Sequence, residues 1–331
     1  MKLSTLRMLT LVFTASLIAA LAISAQLPAQ EQKDVARSAQ HPTIITFDPP
    51  GSILTQAVAI NPAGAIAGTF FDASNKIHGL VRAKDGTFTK FDSPDAGTGA
   101  FQGTTVQSIN PAGAITGWVY SNSGAHSYVR APDGTFTTFD VPGALATQAL
   151  NINPEGAIAG QFLDLNQVFQ GFLRAPDGTF TTFDAPGAGT GVGQGTQTST
   201  VDGLNPEGAI AVAYVNTGSF FGTQVLHGAV RAPDGKFTEF DVPGAGTGSG
   251  QGTVVASINT PGDFDGWYID GSGVAHGFLR SKHGGITTFD VLGAGTASGQ
   301  GTFRCKTTRR TLSRDSTLTR AVFSTASCGN D

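Results

Sequence analysis

An all-β chain is what this sequence predicts, and three observations carry the expectation. Charged residues make up only 13% of the 331 residues, about half the usual ~25%, which disfavours a charge-laced helical bundle. The chain holds 45 Gly and 16 Pro, and the Gly recur beside Thr, Phe, Val and Ile, the mixture that strands joined by tight turns require. Together they remain below the roughly 25–30% of Gly and Pro that marks low-complexity chains, so the chain is expected to fold. The third observation is repetition: a Phe-Asp pair recurs with its acid at Asp48, Asp92, Asp140, Asp184, Asp241 and Asp290, at spacings of 44, 48, 44, 57 and 49.

Taken in order, the first element is an export signal. Lys2 and Arg7 precede an uncharged apolar run from Met8 to Ala25, and Ile23-Ser24-Ala25 offers a small residue at a cleavage position. Residues 1–25 are read as a signal peptide and residues 26–42 as a polar linker. The rival reading is an uncleaved membrane anchor, since the apolar run touches the lower length limit for a span. No other stretch is long and apolar enough to cross a bilayer.

Residues 43–303 are the repeat domain. Its second unit shows the pattern: a strand Thr105–Asn110, the turn Pro111-Ala112-Gly113, a strand Ala114–Tyr120, a polar loop, His126–Arg130, the turn Ala131–Gly134, and Thr135–Asp140. That is four short strands, a to d. Asp-Gly between apolar runs is a hairpin signal for two-residue turns of positive φ, and it recurs at Asp85, Asp133, Asp177 and Asp234; Asn-Pro-x-Gly plays the same part at Asn61, Asn110, Asn153 and Asn205. In the first unit the strands are expected near 56–61, 65–71, 78–83 and 87–91. Phe136 and Phe139 lie an odd number of residues apart, so they point to opposite faces of strand d. Both faces then need covering, as when one blade sits between two neighbours. Five recognisable four-stranded antiparallel blades plus an orphan strand at Thr43–Phe47 predict a β-propeller; a β-sandwich is the runner-up.

The segments His78–Arg82, His126–Arg130, His227–Arg231 and His276–Arg280, with Gln170 replacing His in the third copy, resemble the extracellular HAF repeat of exported bacterial proteins. That repeat is named for a His-Ala-Phe core, and Gly or Ser stands here for Ala. The resemblance spans about residues 43–303 and implies an exported repeat protein without assigning catalytic residues. The Ala131–Phe136 turn is similar to the Asp-box hairpin of sialidase-type propellers, without its leading Ser or Thr; that box is a structural turn.

Residues 26–303 carry 12 basic and 22 acidic side chains, with Arg spaced singly, so nucleic acid is not an expected partner. Both cysteines, Cys305 and Cys328, lie in the last 28 residues, which leaves the repeat domain to its hydrophobic core. Residues 304–331 abandon the repeat for a basic, Ser/Thr-rich composition. A frameshift or truncation of the coding sequence, or a genuine basic tail, accounts for this; in the first case the natural ring is larger, and a sixth strand a begins after Thr302.

The recurrent polar residues are candidates for chemistry or for structure. His78, His126, His227 and His276, with Arg82, Arg130, Arg174, Arg231 and Arg280, recur once per unit, and equivalent positions in radial blades diverge. They are read as one polar network per blade that meets the Asp or a backbone carbonyl. Asp92, Asp140, Asp184, Asp241 and Asp290 suggest a carboxylate pair for glycoside hydrolysis, against which stands a structural part in the Asp-x-Pro-Gly turn. No metal, cofactor or dinucleotide is expected; Gly187–Gly193 lacks the following helix that phosphate binding needs.

The b–c and d–a connections are long and varied while the a–b and c–d turns are short, so ligands are expected at the first face. Tyr120, Tyr214, Phe220, Phe221, Trp267 and Tyr268 are its aromatic candidates, with blade packing as the competing part. The expected function is a non-enzymatic binding or interaction platform for an extracellular glycan or protein. The alternative is a polysaccharide-directed hydrolase or lyase.

Overall fold

The computed structural model describes residues 45–199, 202–219 and 224–303, and a two-residue strand at Ser324–Thr325. All regular structure among these residues is β. The first blade is β1 (Ser52–Ile60), β2 (Ile66–Asp72), β3 (Ile77–Arg82) and β4 (Phe88–Phe91). The second is β5 (Gly103–Ile109), β6 (Ile115–Ser121), β7 (Gly124–Arg130) and β8 (Phe136–Phe139), and the third is β9 (Ala146–Ile152), β10 (Ile158–Leu163), β11 (Phe169–Arg174) and β12 (Phe180–Phe183). The fourth is β13 (Gly195–Thr198), β14 (Ile210–Val215), β15 (His227–Arg231) and β16 (Phe237–Phe240), and the fifth is β17 (Gly252–Ile258), β18 (Phe264–Ile269), β19 (Ala275–Arg280) and β20 (Ile286–Phe289). Within each blade the four strands pair antiparallel in chain order. The protein is a β-propeller.

The c–d turns correct one expectation. Ala83 N–H donates to the Thr87 carbonyl and Gly86 N–H to the Ala83 carbonyl, and in this turn only Gly86 has positive φ, at 95°. A two-residue type I′ turn needs positive φ at both central residues. The loop is therefore three residues long, with glycine in the left-handed position, and the Asp85 carboxylate accepts the Thr87 N–H at 2.9 Å. Nor does the first strand begin at 56, since β1 starts four residues earlier, at Ser52.

Neighbouring blades are joined by a repeated set of contacts. The first strand of a blade touches strand c of the blade before it in a single parallel bridge, Ile77 with Gly103, Phe169 with Gly195, Leu226 with Gly252 and Ala275 with Gly301. A Cβ on any of these four glycines would lie about 2 Å from the facing carbonyl oxygen, so the bridge requires glycine. Beside it, a buried threonine hydroxyl accepts the N–H of the residue after each Phe-Asp pair: Thr104 from Ser93, Thr147 from Val141, Thr196 from Ala185 and Thr253 from Val242.

The two phenylalanines of strand d do face opposite ways. Phe136 packs on Phe91 of the preceding blade, with centroids 6.0 Å apart, and Phe139 packs on Phe180 of the following one at the same separation. Each repeat arginine lays its guanidinium on the ring presented by the preceding blade. Arg130 lies 4.8 Å from the Phe91 centroid, Arg174 4.7 Å from Phe139, Arg231 5.0 Å from Phe183 and Arg280 4.8 Å from Phe240. The arginines are thus inter-blade cation–π groups rather than partners of the repeat aspartates. Each contact contributes about 0.5–2 kcal/mol, offset by a buried Nε without a hydrogen-bond partner at Arg130, Arg174, Arg231 and Arg280. Between these layers lie Leu80, Ile115, Tyr128, Phe172 and Phe278, all fully buried.

The two flanks of the arc also follow the pattern. Phe47 lies in no strand, yet it packs on Phe88 and carries Arg82 over its ring, so it occupies the place of a strand-d phenylalanine before the first blade. The Thr55 hydroxyl, equivalent to Thr104, is buried without a partner. Its donor position is filled by Pro49, which has no N–H. At the other end Thr302 accepts the Val291 N–H at 2.9 Å, and β21 (Thr302–Phe303) opens where a sixth strand a was expected, pairing with β22 (Ser324–Thr325). No strand pairing joins the first blade to the fifth among the described residues.

Candidate functional site

The b–c and d–a connections share one face, and the recurrent histidines lie beneath it; contrary to expectation, the b–c links of the first, second, third and fifth blades are only two to five residues, no longer than the a–b turns. Each sits at the start of strand c, opposite the end of strand d, because those strands pair antiparallel. Each histidine stands fourteen residues before its aspartate, and their contact closes the hairpin. Nδ1 of His78, His126, His227 and His276 lies 2.9, 2.7, 2.8 and 2.9 Å from Asp92, Asp140, Asp241 and Asp290. The aspartates therefore meet the imidazoles, as the reading of one polar network per blade expected of the histidines. The hydrogen bond from Asp241 raises the pKa of His227, against a smaller opposing effect of burial.

Two histidines also hold a second carboxylate. His78 Nε2 lies 3.2 Å from Asp72 and His276 Nε2 3.4 Å from Asp270. These acids stand six residues before the histidine, at the end of strand b or just after it, and that spacing was available in the sequence. The Asp72 carboxyl is held well below the usual carboxylate range, first by the Ser74 hydroxyl and then by the Lys76 N–H. In the third blade Gln170 donates to Asp164 at 3.2 Å instead. Asp184 is left without an imidazole, and its pKa rises to about 6, chiefly from the loss of surrounding water, with the charge of Asp164 adding to it.

The aromatic candidates separate into packed and half-buried groups. Tyr214 stacks on His227 with centroids 5.0 Å apart, and Tyr268 on His276 at 4.9 Å; both rings are buried among core side chains. Burial and the charges of Glu239 and Asp241 push the Tyr214 phenol up to about 12. Tyr120 and Trp267 are half-buried. Phe220 and Phe221 lie outside the described residues.

An aromatic group that sequence reasoning missed is Phe101. Its N–H donates to the Asn75 carbonyl at 2.8 Å, a place taken in later blades by Gly193, Gly250 and Gly299. Phe101 holds the left-handed φ of 60° that those glycines adopt freely, and its ring is 51% exposed. A bulky residue there is strained. The signal was the replacement of Gly by Phe in an otherwise repeated Gly-Gln-Gly loop.

A cavity of about 400 Å³ opens where the Pro50-Gly51 turn meets the first blade, lined by Phe70, Asp72, His78, Lys90, Phe91 and Asp92. The Lys90 ammonium lies over the Phe70 ring and donates to the Pro50 carbonyl. The arrangement offers carboxylate acceptors and one cation beside apolar ring surface. Among the described residues no group of three or more His, Cys, Asp or Glu is placed to hold a metal, and no helix is long and apolar enough to cross a membrane.

No family model matches the chain, and comparison with curated proteins finds no match. Among solved structures the chain is similar to a prolyl endopeptidase, at 10% identity and a TM-score of 0.52, over 76% of this chain and 39% of that one. It is also similar to TolB from Acinetobacter baumannii (15% identity, TM-score 0.47, 71% of this chain and 53% of that one) and to a fucose-specific lectin from Aleuria aurantia (11%, 0.40, 77% and 90%). The chain spans about half the length of the TolB structure. At such identities the likeness is one of fold.

Proposed function

We propose that the protein is an exported binding platform that takes an extracellular glycan on the face formed by its b–c and d–a connections. The observation that carries this reading is the cavity at the first blade, whose volume falls within the range of small-ligand sites, roughly 300–1,000 Å³. Carboxylates accept hydrogen bonds from paired sugar hydroxyls, and ring surface suits the apolar C–H face of a sugar. Export rests on the basic and apolar pattern of residues 1–25 and on the resemblance to exported HAF repeats.

Charge narrows the ligand. Every d strand ends on an aspartate at this face, and Asp72, Asp164 and Asp270 add to them, so sulfated or uronate-rich polymers are repelled. The test is a glycan array with a parallel hydrolysis screen on the mature protein. Binding of neutral or amino sugars, weakened about tenfold or more by Asp72→Ala and Lys90→Ala, is the expected result. Preference for anionic glycans, or binding indifferent to both substitutions, overturns the placement.

A further inference from the structure

The second blade departs from the first and fifth in a way that alters its chemistry. In the first and fifth blades the far nitrogen of the histidine faces a second carboxylate. In the second blade the b–c loop is cut to Asn122-Ser123, with Ser121 paired to Gly124 across it, and no aspartate is present there. His126 Nε2 instead lies 3.0 Å from the Ser123 hydroxyl, while Nδ1 lies 2.7 Å from Asp140. A carboxylate accepts from Nδ1–H, so in the neutral imidazole Nε2 carries the lone pair and accepts the Ser123 hydroxyl proton. Ser121 completes the chain: its Oγ is 2.6 Å from Ser123 Oγ and accepts the Ser123 N–H at 3.2 Å, leaving its own hydroxyl to donate to Ser123 Oγ.

We propose that Ser123, His126 and Asp140 form a nucleophilic site that hydrolyses small carboxylic esters, an activity independent of the glycan binding argued above. The three groups have the connectivity that acyl transfer requires, a hydroxyl on a neutral imidazole whose other nitrogen is oriented by a carboxylate. In the first step Ser123 Oγ bonds to the ester carbonyl carbon as its proton passes to His126 Nε2. The alkoxide then leaves with that proton as the ester C–O bond breaks, giving an acyl-serine. Water attacks the acyl carbon, loses a proton to Nε2 and releases the acid, and Ser123 regains its hydrogen. No oxidant, metal or cofactor enters the balance. Asp140 touches only the imidazole and is a positioning residue.

The substrate class follows from the surroundings. Ser123 stands exposed in a two-residue turn, with no deep cleft to hold a long acyl chain, so a short acyl group such as acetyl, carried on a larger alcohol, fits. Leu145, 48% exposed, has its carbonyl beside Gly124 and offers apolar surface next to the turn. Water reaches an open site freely, so turnover is slow and covalent capture is the primary readout.

The full protein is treated with a fluorophosphonate probe, the adduct is mapped by peptide mass, and p-nitrophenyl acetate hydrolysis is followed in parallel. The expected result is one dominant adduct on Ser123, absent in Ser123→Ala, with labelling slowed about 100-fold in His126→Gln. Asp140→Asn is expected to lower kcat while leaving KM unchanged, a split that a merely structural aspartate does not produce. Labelling of Ser123 no faster than that of Ser121 or Ser74, or hydrolysis undiminished in Ser123→Ala, overturns the proposal. Ser123→Ala removes only an exposed hydroxyl, and its melting temperature is checked so that loss of labelling is not loss of fold.

Discussion

At the scale of single residues, Asp184 shows what a missing partner does. Its counterparts hold an imidazole, whereas Gln170 is turned to Asp164, and the Asp184 carboxyl titrates near 6 instead of 3.8. Folding therefore favours its neutral form. The contribution of this residue to stability is complete below the unfolded value and is lost as pH rises through about 6. Asp184→Asn is thus expected to raise Tm by about 1–2 °C at pH 7.5, an amount kept small by the exposure of the side chain, and to leave Tm unchanged at pH 4. Calorimetry at the two pH values checks this; equal shifts at both remove the argument. The sequence showed Gln170 as the odd member of the repeat. That its replacement would leave an aspartate without an imidazole depended on strands c and d being in the observed register.

At the scale of elements, strand b places a glycine against the backbone of strand a. A Cβ at Gly68, Gly117, Gly160 or Gly266 would come within about 2.4 Å of a carbonyl oxygen on the neighbouring strand. Strand a is bulged in the same blades, with register shifts at Ala57/Ala59, Val106/Ser108 and Val255/Ser257 and a shift opposite Ala159/Gly160 in the third. The fourth blade has Val212 at this position, and there β13 stops at Thr198. The glycine and the bulge therefore go together. Gly117→Ala is expected to cost about 1–3 kcal/mol in a denaturant titration, by lifting β5 from β6; a change below 0.5 kcal/mol removes the coupling. The turns were legible as turns, but their length was not, because Asp-Gly serves both two- and three-residue hairpins and only φ distinguishes them.

At the scale of the molecule, the same repeat position has different surroundings in different blades. Val81, Val129, Leu173 and Val230 each pack on the core of the following blade, while Leu279 in the fifth is 47% exposed, and Ile53 and Leu54 on the first strand are 59% and 47% exposed. Leu173→Asp is expected to cost about 3 kcal/mol by placing a charge between blades. Leu279→Asp is expected to be nearly neutral in the same thermal melt. A large loss at Leu279 would mean that this flank is covered in solution.

The sequence by itself determined the repeat unit, because period, turn residues and strand alternation are local properties written four or five times over. It therefore also determined the all-β fold class and the opposed phenylalanines of strand d. The sequence also led to the meeting of histidine with the repeat aspartate, whereas tertiary structure alone decided the other contacts. The arginines lie on the phenylalanines of another blade rather than on the aspartates, and Tyr214 and Tyr268 cover His227 and His276. Ser123 gained its imidazole only because a shortened b–c loop brings the turn hydroxyl to the place of a carboxylate. Hydrogen bonds and cation–π contacts depend on distances of a few ångströms between segments, and those distances are set by strand register and by the packing of one blade on the next.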